Sequence, residues 1–410
     1  MNAENVPVTL PMFDREFNSA PGVWYRRLRQ TGAICPIVLP TGTPAFLVTR
    51  YDVAREVLRH PALTHDLEFA DFSSIPGFTE DQAAALKSQP STVANTDGDE
   101  HHRLRAAISG QFSPRRIERL RPLILDECRR AISSFSESVE VDLVREYASP
   151  LTMYVICEII GIPDADRSQF AEWTRSMLSP RQSDLANMPV AIGNLQSYLN
   201  RIVRELPQDL PEGLIRDLTE APEDVRLSDD EIAAAAFLLL TGGHETTYGL
   251  ISTILFQLVA DARLREATYK SAGSVGAHLE EFLRLNSPLQ IALPRYTKEE
   301  VEIAGVRIPA GATVVVGIMS ADHDEAVFGD DAAERIVESG LRRQPSLAFG
   351  LGSHYCIGAA LARLEAVLAV DTLLESFSSI ELARPSHAMA WRPGLVFGLE
   401  ELPVRLQRAT

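Results

Sequence analysis

The feature that most constrains the fold of this chain is a long apolar segment near its middle. Ser228 and Glu231 have the spacing of a capping box, in which two side chains bond each other's backbone N–H groups and start a helix. The apolar helix that follows is predicted over residues 232–260 and is roughly 45 Å long, at about 1.5 Å per residue. His244 and Glu245 interrupt it, whereas a membrane span needs about 18 or more uninterrupted apolar residues. The segment therefore predicts a buried helix that crosses a large domain of a soluble protein.

The rest of the chain predicts further helices and a small amount of sheet. Ser113-Pro114 supplies an N-cap and a first-turn proline. Pro122 then predicts a break between a short helix and a longer one. Other helices are expected over residues 142–160 and 359–377, strands over 46–48, 301–308 and 313–318, and a long loop over 66–89.

Length and charge limit the domain organisation and the partners. The 410 residues alone would suggest two or three domains, but no linker, internal repeat or low-complexity tract divides them. The expected fold class is mainly α with a small β region, in a single large domain over residues 1–410. The net charge of −17 argues against a nucleic acid partner, because phosphate binding needs a basic surface. Residues 1–17 lack the pattern of a secretory signal, so a cytoplasmic protein without membrane association is expected.

The four cysteines predict three structural thiols and one reactive thiol. Cys35, Cys128 and Cys157 lie far apart without C-x-x-C spacing, which argues against a zinc site or a disulfide framework. Each is expected to be a small buried apolar residue. Cys356 has a different context, because glycines flank it on both sides.

The segment around Cys356 predicts a metal-binding thiolate. It reads Phe349-Gly350-Leu351-Gly352-Ser353-His354-Tyr355-Cys356-Ile357-Gly358. The glycines let the backbone approach the sulfur and donate N–H groups to it, and the positive end of a following helix favours the thiolate. One alternative is a glycine-rich turn with a buried cysteine. Another is a phosphate-binding G-x-G-x-x-G loop, but Tyr355 stands where its third glycine belongs.

These residues resemble the cysteine loop of the cytochrome P450 superfamily, F-x-x-G-x-x-x-C-x-G, and specifically that of its soluble bacterial members. Three further family motifs match in the same order along the chain: His101-His102-Arg103-Leu104-Arg105, Gly242-Gly243-His244-Glu245-Thr246-Thr247 and Glu281-Phe282-Leu283-Arg284. The resemblance implies a single P450-type domain that encloses heme b (iron protoporphyrin IX). It makes Cys356 the sulfur ligand to the heme iron.

The resemblance also implies a set of heme contacts. His101 and Arg105 are four residues apart, share one helix face and would bind heme propionates through charge-assisted bonds; a solvated basic face is the alternative. The full set of implied cofactor-binding residues is His101, Arg105, Gly242, Arg295, Phe349, Gly350, His354, Cys356 and Gly358.

Glu281 and Arg284 have two interpretations. An ion pair at this spacing could lie on the surface, where it would contribute very little. The resemblance implies a buried structural pair behind the cysteine loop, completed by an arginine from a third segment. That segment matches the family only loosely here, and Arg335 is the candidate.

Glu245 and Thr246 are the candidate catalytic residues. A zinc-protease motif, H-E-x-x-H, fails because Tyr248 occupies its last position. By resemblance, the Thr246 hydroxyl holds a water that donates a proton, and Glu245 recharges that water from solvent. Alternatively, Thr246 bonds back to a carbonyl of its own helix, and the adjacent Thr247 leaves the position ambiguous by one residue. The neighbouring glycines would let the helix open locally.

The implied activity is heme-dependent monooxygenation, that is, hydroxylation or epoxidation of a small molecule with O2. Residues 289–293 carry no charge, which favours a largely apolar substrate, and soluble bacterial relatives often act in secondary metabolism. Electrons would come from a ferredoxin and its NAD(P)H-dependent reductase, because the chain has no flavin or dinucleotide motif. The alternatives are a peroxide-driven peroxygenase and a non-enzymatic heme-based gas sensor. The expected substrate pocket contains Leu238, Thr241, Ile291, Leu293 and Val396.

Two charged regions of the sequence suggest binding sites, one for a cationic group of the substrate and one for the electron-donating partner. Acidic residues in the predicted loop either are solvated or bind a cationic amine; they are Asp66, Glu68, Asp71, Glu80 and Asp81. Arginines are dense over residues 103–130, which by resemblance lie near Arg363 on the cysteine side of heme. An acidic ferredoxin would be steered there.

Overall fold

The structure is a computed structural model, and it describes residues 8–75, 79–135, 140–178, 187–330, 332 and 344–408. Its helices are α1 (Arg15–Ser19), α2 (Pro21–Thr31), α3 (Tyr51–Val57), α4 (Glu80–Lys87), α5 (Gly98–Ser109), α6 (Pro114–Ser133), α7 (Ser149–Ile160), α8 (Asp164–Leu178), α9 (Met188–Glu205), α10 (Leu214–Thr219), α11 (Asp229–Ala260), α12 (Ala262–Ala272), α13 (Leu279–Leu285), α14 (Ile318–Asp322), α15 (Glu325–Phe328) and α16 (Ala359–Ser376). Its strands are β1 (Val8–Thr9), β2 (Ile34–Val38), β3 (Pro44–Val48), β4 (Leu63–Thr64), β5 (Val141–Asp142), β6 (Arg295–Thr297), β7 (Val301–Ile303), β8 (Val306–Ile308), β9 (Thr313–Val316), β10 (Phe377–Leu382) and β11 (Pro403–Arg408). The predicted mainly α fold class with a small β region is confirmed.

The chain divides by its internal contacts into two compact units. Unit 1 comprises residues 1–100, 280–356 and 393–397, and unit 2 comprises residues 101–279, 357–392 and 398–410. This division does not test the prediction of one domain over the whole chain, which stays a prediction.

Unit 1 contains the larger sheet, with the strand order β1-β2-β3-β9-β6-β4. The central strand β9 pairs in parallel with β3 and antiparallel with β6. All four residues of β9 are buried, as expected for a strand that is covered on both faces. Helices α2 and α3 pack against α14 beside this sheet, so the core of the unit is formed by the sheet and these short helices.

Unit 2 is organised around α11, the helix that the capping box predicts. The Ser228 hydroxyl accepts a bond from the Glu231 N–H, and the Glu231 carboxylate accepts one from the Ser228 N–H at 2.8 Å. α11 packs against α7, α9, α10 and α16, which explains why it is apolar on most of its faces. Among the described residues, no helix is long and apolar enough to cross a membrane.

Pro122 does not divide α6, and the predicted helix break is wrong. The helix runs unbroken from Pro114 to Ser133 with Pro122 inside it. A proline leaves the carbonyl four residues earlier, that of Glu118, without its helical N–H partner. Glu118 and Pro122 are both exposed to solvent, so water can donate a hydrogen bond to this carbonyl. The buried face that includes Cys128 keeps the helix in place.

Three other predicted elements differ in detail. Residues 301–308 form a hairpin rather than one strand, because Ala304 and Gly305 have φ of 48° and 77°, as in a type I′ turn between β7 and β8. The predicted loop over residues 66–89 contains α4, which starts with a capping box at Thr79 and Gln82. The helix predicted from residue 142 begins as a π-helical turn, and α7 starts only at Ser149.

Candidate active site and cofactor-binding residues

The segment that carries Cys356 lies in unit 1 and is shaped by its glycines. Gly350 and Gly352 have φ of 71° and 85°, in the left-handed region that side chains disfavour. The chain folds back there, so the Cys356 N–H donates to the Phe349 carbonyl at 2.9 Å. Along the chain, α16 begins at Ala359 with Gly358 as its N-cap. The glycine spacing thus produces the tight loop that the sequence predicts.

Cys356 differs from the other three cysteines in its exposure. Cys356 is exposed, whereas Cys35, Cys128 and Cys157 are buried, as predicted. Burial raises the pKa of the three buried thiols, to about 12 for Cys128 and Cys157. Those three remain neutral thiols, and of the four cysteines only Cys356 offers an accessible sulfur to a metal.

A polar cluster in unit 1 surrounds His354 and includes residues that the sequence motifs missed. His354 Nε2 lies 2.7 Å from Asp97 Oδ1. Asp97 Oδ2 accepts bonds from the Thr64 hydroxyl and the His65 N–H, both at 2.7 Å. Burial, together with the charges of Arg295 and His354, lowers the pKa of His65 to about 3. The sequence offered no local signal for Asp97 and His65, because their partners are distant in the chain.

Arg295 is a buried guanidinium in the same cluster. It is 5% exposed, and burial lowers its pKa to about 10 while the charge of Asp97 raises it. Within the described residues, it makes no hydrogen bond or ion pair with another side chain. A buried charge without close partners is costly, so the Arg295 site favours the binding of an anion.

One face of α11 stays accessible although most of the helix is buried. Leu238, Thr241, Gly242 and Thr246 keep partial or full exposure, and their spacing places them on one side of a helix. A side-chain carbon at Gly242 would meet nothing within 4 Å, so the space beside it is open. Leu238 and Thr241, two of the predicted pocket residues, lie on this face, and their contact with a substrate stays a prediction.

The predicted local opening of α11 is not seen, because the helix continues through residues 242–247. The Thr246 hydroxyl donates to the Gly242 carbonyl and the Thr247 hydroxyl to the Gly243 carbonyl, both at 2.7 Å. Thr246 is half-buried, whereas Thr247 is only 4% exposed. Both threonines therefore make the back-bond considered from sequence, but Thr246 is the more accessible hydroxyl.

Glu245 is held by a residue that sequence reasoning missed. Its carboxylate forms a buried ion pair with Arg392, which also donates to the Tyr248 hydroxyl. Arg392 and Tyr248 line a cavity of about 850 Å³ within unit 2, together with His244. His244 is fixed by a 2.8 Å bond to the Thr152 hydroxyl. Glu245, the acid predicted to move protons, is thus ion-paired with a residue that lines a cavity with room for water.

His101 and Arg105 both lie on α5 in the part of the chain that belongs to unit 2. His101 is buried and Arg105 is half-buried, so the alternative of a fully solvated basic face does not hold for His101. Their four-residue spacing on one helix is the predicted one. Their contacts with heme, like those of Gly242 and Gly358, stay predictions.

Glu281 and Arg284 form a buried ion pair in unit 1. The Arg284 Nε lies 3.0 Å from Glu281 Oε1, and the two side chains are 1% and 5% exposed. Arg284 also donates to the backbone carbonyls of Asp322, at 2.8 Å, and Ala332. The surface interpretation of this pair is therefore wrong. Arg335, the candidate for the third member, lies outside the described residues.

The uncharged segment at residues 289–293 lies beside Val396 in unit 1, as predicted. An isolated antiparallel bridge pairs Leu289 with Val396. Leu293 is 52% exposed, whereas Ile291 is 4% exposed. Leu293 and Val396 are therefore the better placed of the predicted pocket residues to contact a ligand.

The acidic residues of the predicted loop have local structural roles. Asp66 and Asp71 cap short 3-10 helices by accepting the N–H groups of Glu68 and Ser73. Glu68 lies 3.6 Å from Lys87. Glu80 and Asp81 lie in the first turn of α4, where negative charge is favourable. These contacts support a structural role over recognition of a cationic amine.

Comparison with known proteins identifies the family. A family model described as cytochrome P450 matches residues 168–401, more than half of the chain. The chain is also 33% identical to cytochrome P450 107B1 of Saccharopolyspora erythraea, over 99% of each protein. This chain belongs to the cytochrome P450 family.

Other P450 proteins are similar over comparable lengths. The chain is 32% identical to the vitamin D(3) 25-hydroxylase of Pseudonocardia autotrophica, over 96% of each protein. The solved structure of CxnD, a P450 for C–S bond formation in chuangxinmycin biosynthesis, has a TM-score of 0.88 and 30% identity. It covers 100% of this chain, which covers 99% of CxnD. The protein is therefore a P450 monooxygenase rather than the gas sensor considered from sequence.

P450 membership implies a heme-thiolate cofactor, and the residues of unit 1 fit it. The accessible Cys356 provides the sulfur that a heme-thiolate protein needs. Arg295 provides a buried guanidinium without an ion-pair partner among the described residues, and a heme propionate would supply that anion. Unit 1 therefore offers both an accessible thiol and an anion-binding group, which are the kinds of group that a heme-thiolate cofactor requires.

Proposed function

We propose that this P450 hydroxylates or epoxidises a largely apolar small molecule of secondary metabolism, using O2 and electrons from a ferredoxin. The observation that carries the proposal is the acid–alcohol pair on α11, in which Glu245 precedes the accessible Thr246. Bound heme activates dioxygen, and its thiolate ligand favours O–O bond cleavage. Reduction of dioxygen consumes protons that the protein must deliver, whereas hydrogen peroxide already carries its protons. A pair of residues suited to proton delivery therefore favours an enzyme that uses O2 over one that uses peroxide.

The accessible apolar residues support an apolar substrate. Leu293 and Leu395 are 52% and 54% exposed in unit 1, and residues 289–293 carry no charge. Sites of this composition bind ligands mainly by burying apolar surface. The names of the vitamin D(3) 25-hydroxylase and of CxnD, which acts in chuangxinmycin biosynthesis, agree with this class. Substrate-induced spectral shifts, measured across a natural-product library, would identify the compound.

Proton delivery follows from the contacts of Thr246 and Glu245. Because the Thr246 hydroxyl donates to the Gly242 carbonyl, its oxygen remains an acceptor that can hold a water beside the substrate. Glu245 is held by Arg392, which borders the 850 Å³ cavity in unit 2. We propose that Glu245 exchanges protons with water of this cavity when Arg392 moves, and passes them to the water at Thr246.

Arginines of α6 are the proposed docking site for the ferredoxin. Arg116 pairs with Asp217, Arg121 with Glu118 and Arg130 with Glu127. By contrast, Arg115 and Arg119 are exposed and have no ion pair with another described residue. They are four residues apart on one helix face, so they offer two uncompensated charges to an acidic partner. NAD(P)H and ferredoxin are intracellular electron carriers, so we propose a cytoplasmic location.

The double variant Arg115→Glu/Arg119→Glu should slow reduction by ferredoxin by about tenfold or more at low salt, because charge steering raises association rates by that order. Stopped-flow reduction of the substrate-bound protein measures this, and the difference should shrink as salt screens the charges. Arg201→Glu, at an exposed arginine of α9, is the matched control. Equal slowing in the control, or a rate that does not depend on salt, would exclude this docking site.

The proposed activity is tested by comparing two oxidant supplies on one substrate. With ferredoxin, its reductase and NAD(P)H, the protein should form an oxygenated product that carries ¹⁸O from ¹⁸O2. With hydrogen peroxide alone, turnover should be much lower. Efficient turnover with peroxide and none with ferredoxin would instead establish the peroxygenase alternative.

A further inference from the structure

Asp97 lies at the centre of a hydrogen-bond network in unit 1 that the sequence motifs do not include. One carboxylate oxygen accepts from the Thr64 hydroxyl and the His65 N–H, and the other bonds His354 Nε2, all at 2.7 Å. Burial would raise the pKa of Asp97, but the bonds from His354, His65 and Thr64 outweigh it and hold the pKa well below its usual range. An ionised carboxylate can only accept, so Nε2 of His354 is the donor.

The ring of His354 is held from a second side by His65. The two imidazole centres lie 4.3 Å apart, and His65 Nδ1 donates to the Pro294 carbonyl at 2.8 Å. Pro294 directly precedes Arg295, and Thr64 pairs with Tyr296 in the β4–β6 ladder. Asp97 is therefore bonded both to His354 and to the strand that lies beside Arg295.

A simpler role for Asp97 would be to cap α5, since it directly precedes Gly98, the first residue of that helix. An N-cap side chain accepts a bond from the second or third N–H of its helix. The bonds of Asp97 reach well beyond α5, to the Thr64–His65 segment and to His354. The geometry therefore separates Asp97 from an ordinary helix cap.

We propose that Asp97 is a positioning residue for heme, which fixes His354 and the strand segment beside Arg295 in orientations for binding propionate. This inference rests on the heme-dependent function proposed above and on the heme contacts that the sequence motifs predict for His354 and Arg295. Asp97 acts through these residues rather than on heme itself. Outer partners of this kind orient the groups that contact a metal cofactor, and their loss weakens its binding.

The test uses Asp97→Asn in the holoprotein. If the asparagine oxygen keeps the bonds from Thr64 and His65, its amide places an N–H opposite the Nε2–H of His354 and the bond is lost. We expect hemin transfer to excess apomyoglobin to become about 10- to 100-fold faster. Asp99→Asn, at an exposed acid in the first turn of α5, is the matched control and should leave the rate unchanged. Thr64→Val, which removes one bond to Asp97, should give a smaller increase in the rate of hemin transfer. It is the test variant to use if Asp97→Asn does not fold.

Coupling to His354 distinguishes positioning from a general loss of structure. In a His354→Ala background, Asp97→Asn should not accelerate hemin loss further, because a residue that acts through another is not additive with it. Additive acceleration would overturn the role of Asp97. An unchanged rate in both Asp97→Asn and Thr64→Val, while His354→Ala loses hemin quickly, would also overturn that role but would leave the heme contact of His354 standing. Unchanged rates in His354→Ala and Arg295→Ala would instead overturn the heme contacts on which it rests.

Discussion

Cys356→Ser is expected to abolish completely the red-shifted Soret band that the reduced protein shows under carbon monoxide. This band is characteristic of thiolate ligation. A serine hydroxyl does not ionise near neutral pH and is a poor substitute for a soft thiolate, so monooxygenase turnover should be lost with the band. The difference spectrum of the reduced protein, scaled to a separate assay of total heme, measures the effect.

The buried cysteines provide matched controls for this substitution. Cys128→Ser and Cys157→Ser should keep the band, because both side chains are inaccessible at 0% exposure. Each should lower the free energy of unfolding by about 1–3 kcal/mol, since a hydroxyl is placed in an apolar site. Should Cys356→Ser retain the band while one of these variants loses it, Cys356 is not the iron ligand.

Thr246→Ala should preserve heme binding, the thiolate spectrum and substrate affinity, but it should divert most electrons from product to hydrogen peroxide. Groups that are positioned for proton transfer typically contribute about 100-fold or more to a rate. The fraction of NAD(P)H electrons recovered in product should therefore fall by about tenfold or more. Product and peroxide, each measured per NAD(P)H consumed, determine this fraction.

Thr247→Ala is the matched control, because both threonines donate to a glycine carbonyl of α11 at 2.7 Å. If loss of this back-bond caused the uncoupling, both variants would uncouple equally. If an accessible hydroxyl is needed, only Thr246→Ala should uncouple, and Thr246→Ser should restore most of the coupling. Full coupling in Thr246→Ala would show that this threonine does not deliver the proton.

The helix starts and the cysteine loop were predictable because their causes are local. The capping box at Ser228 and Glu231 satisfies N–H groups within one turn of its own helix. The positive φ of Gly350 and Gly352 depends on the absence of a side chain at those positions. Local reasoning was wrong at Pro122, because the anchoring of α6 by its buried face outweighed the missing hydrogen bond.

The sequence by itself therefore determined the family and the helical fold class, and it singled out Cys356 as the cysteine predicted to bind iron. Only the tertiary structure decided which distant side chains hold the site residues: Asp97 bonds His354 across 257 residues, and Arg392 bonds Glu245 across 147. A hydrogen bond requires its two heavy atoms to lie within about 3.2 Å. That distance depends on how the intervening helices and strands pack, which neither residue type nor spacing along the chain specifies.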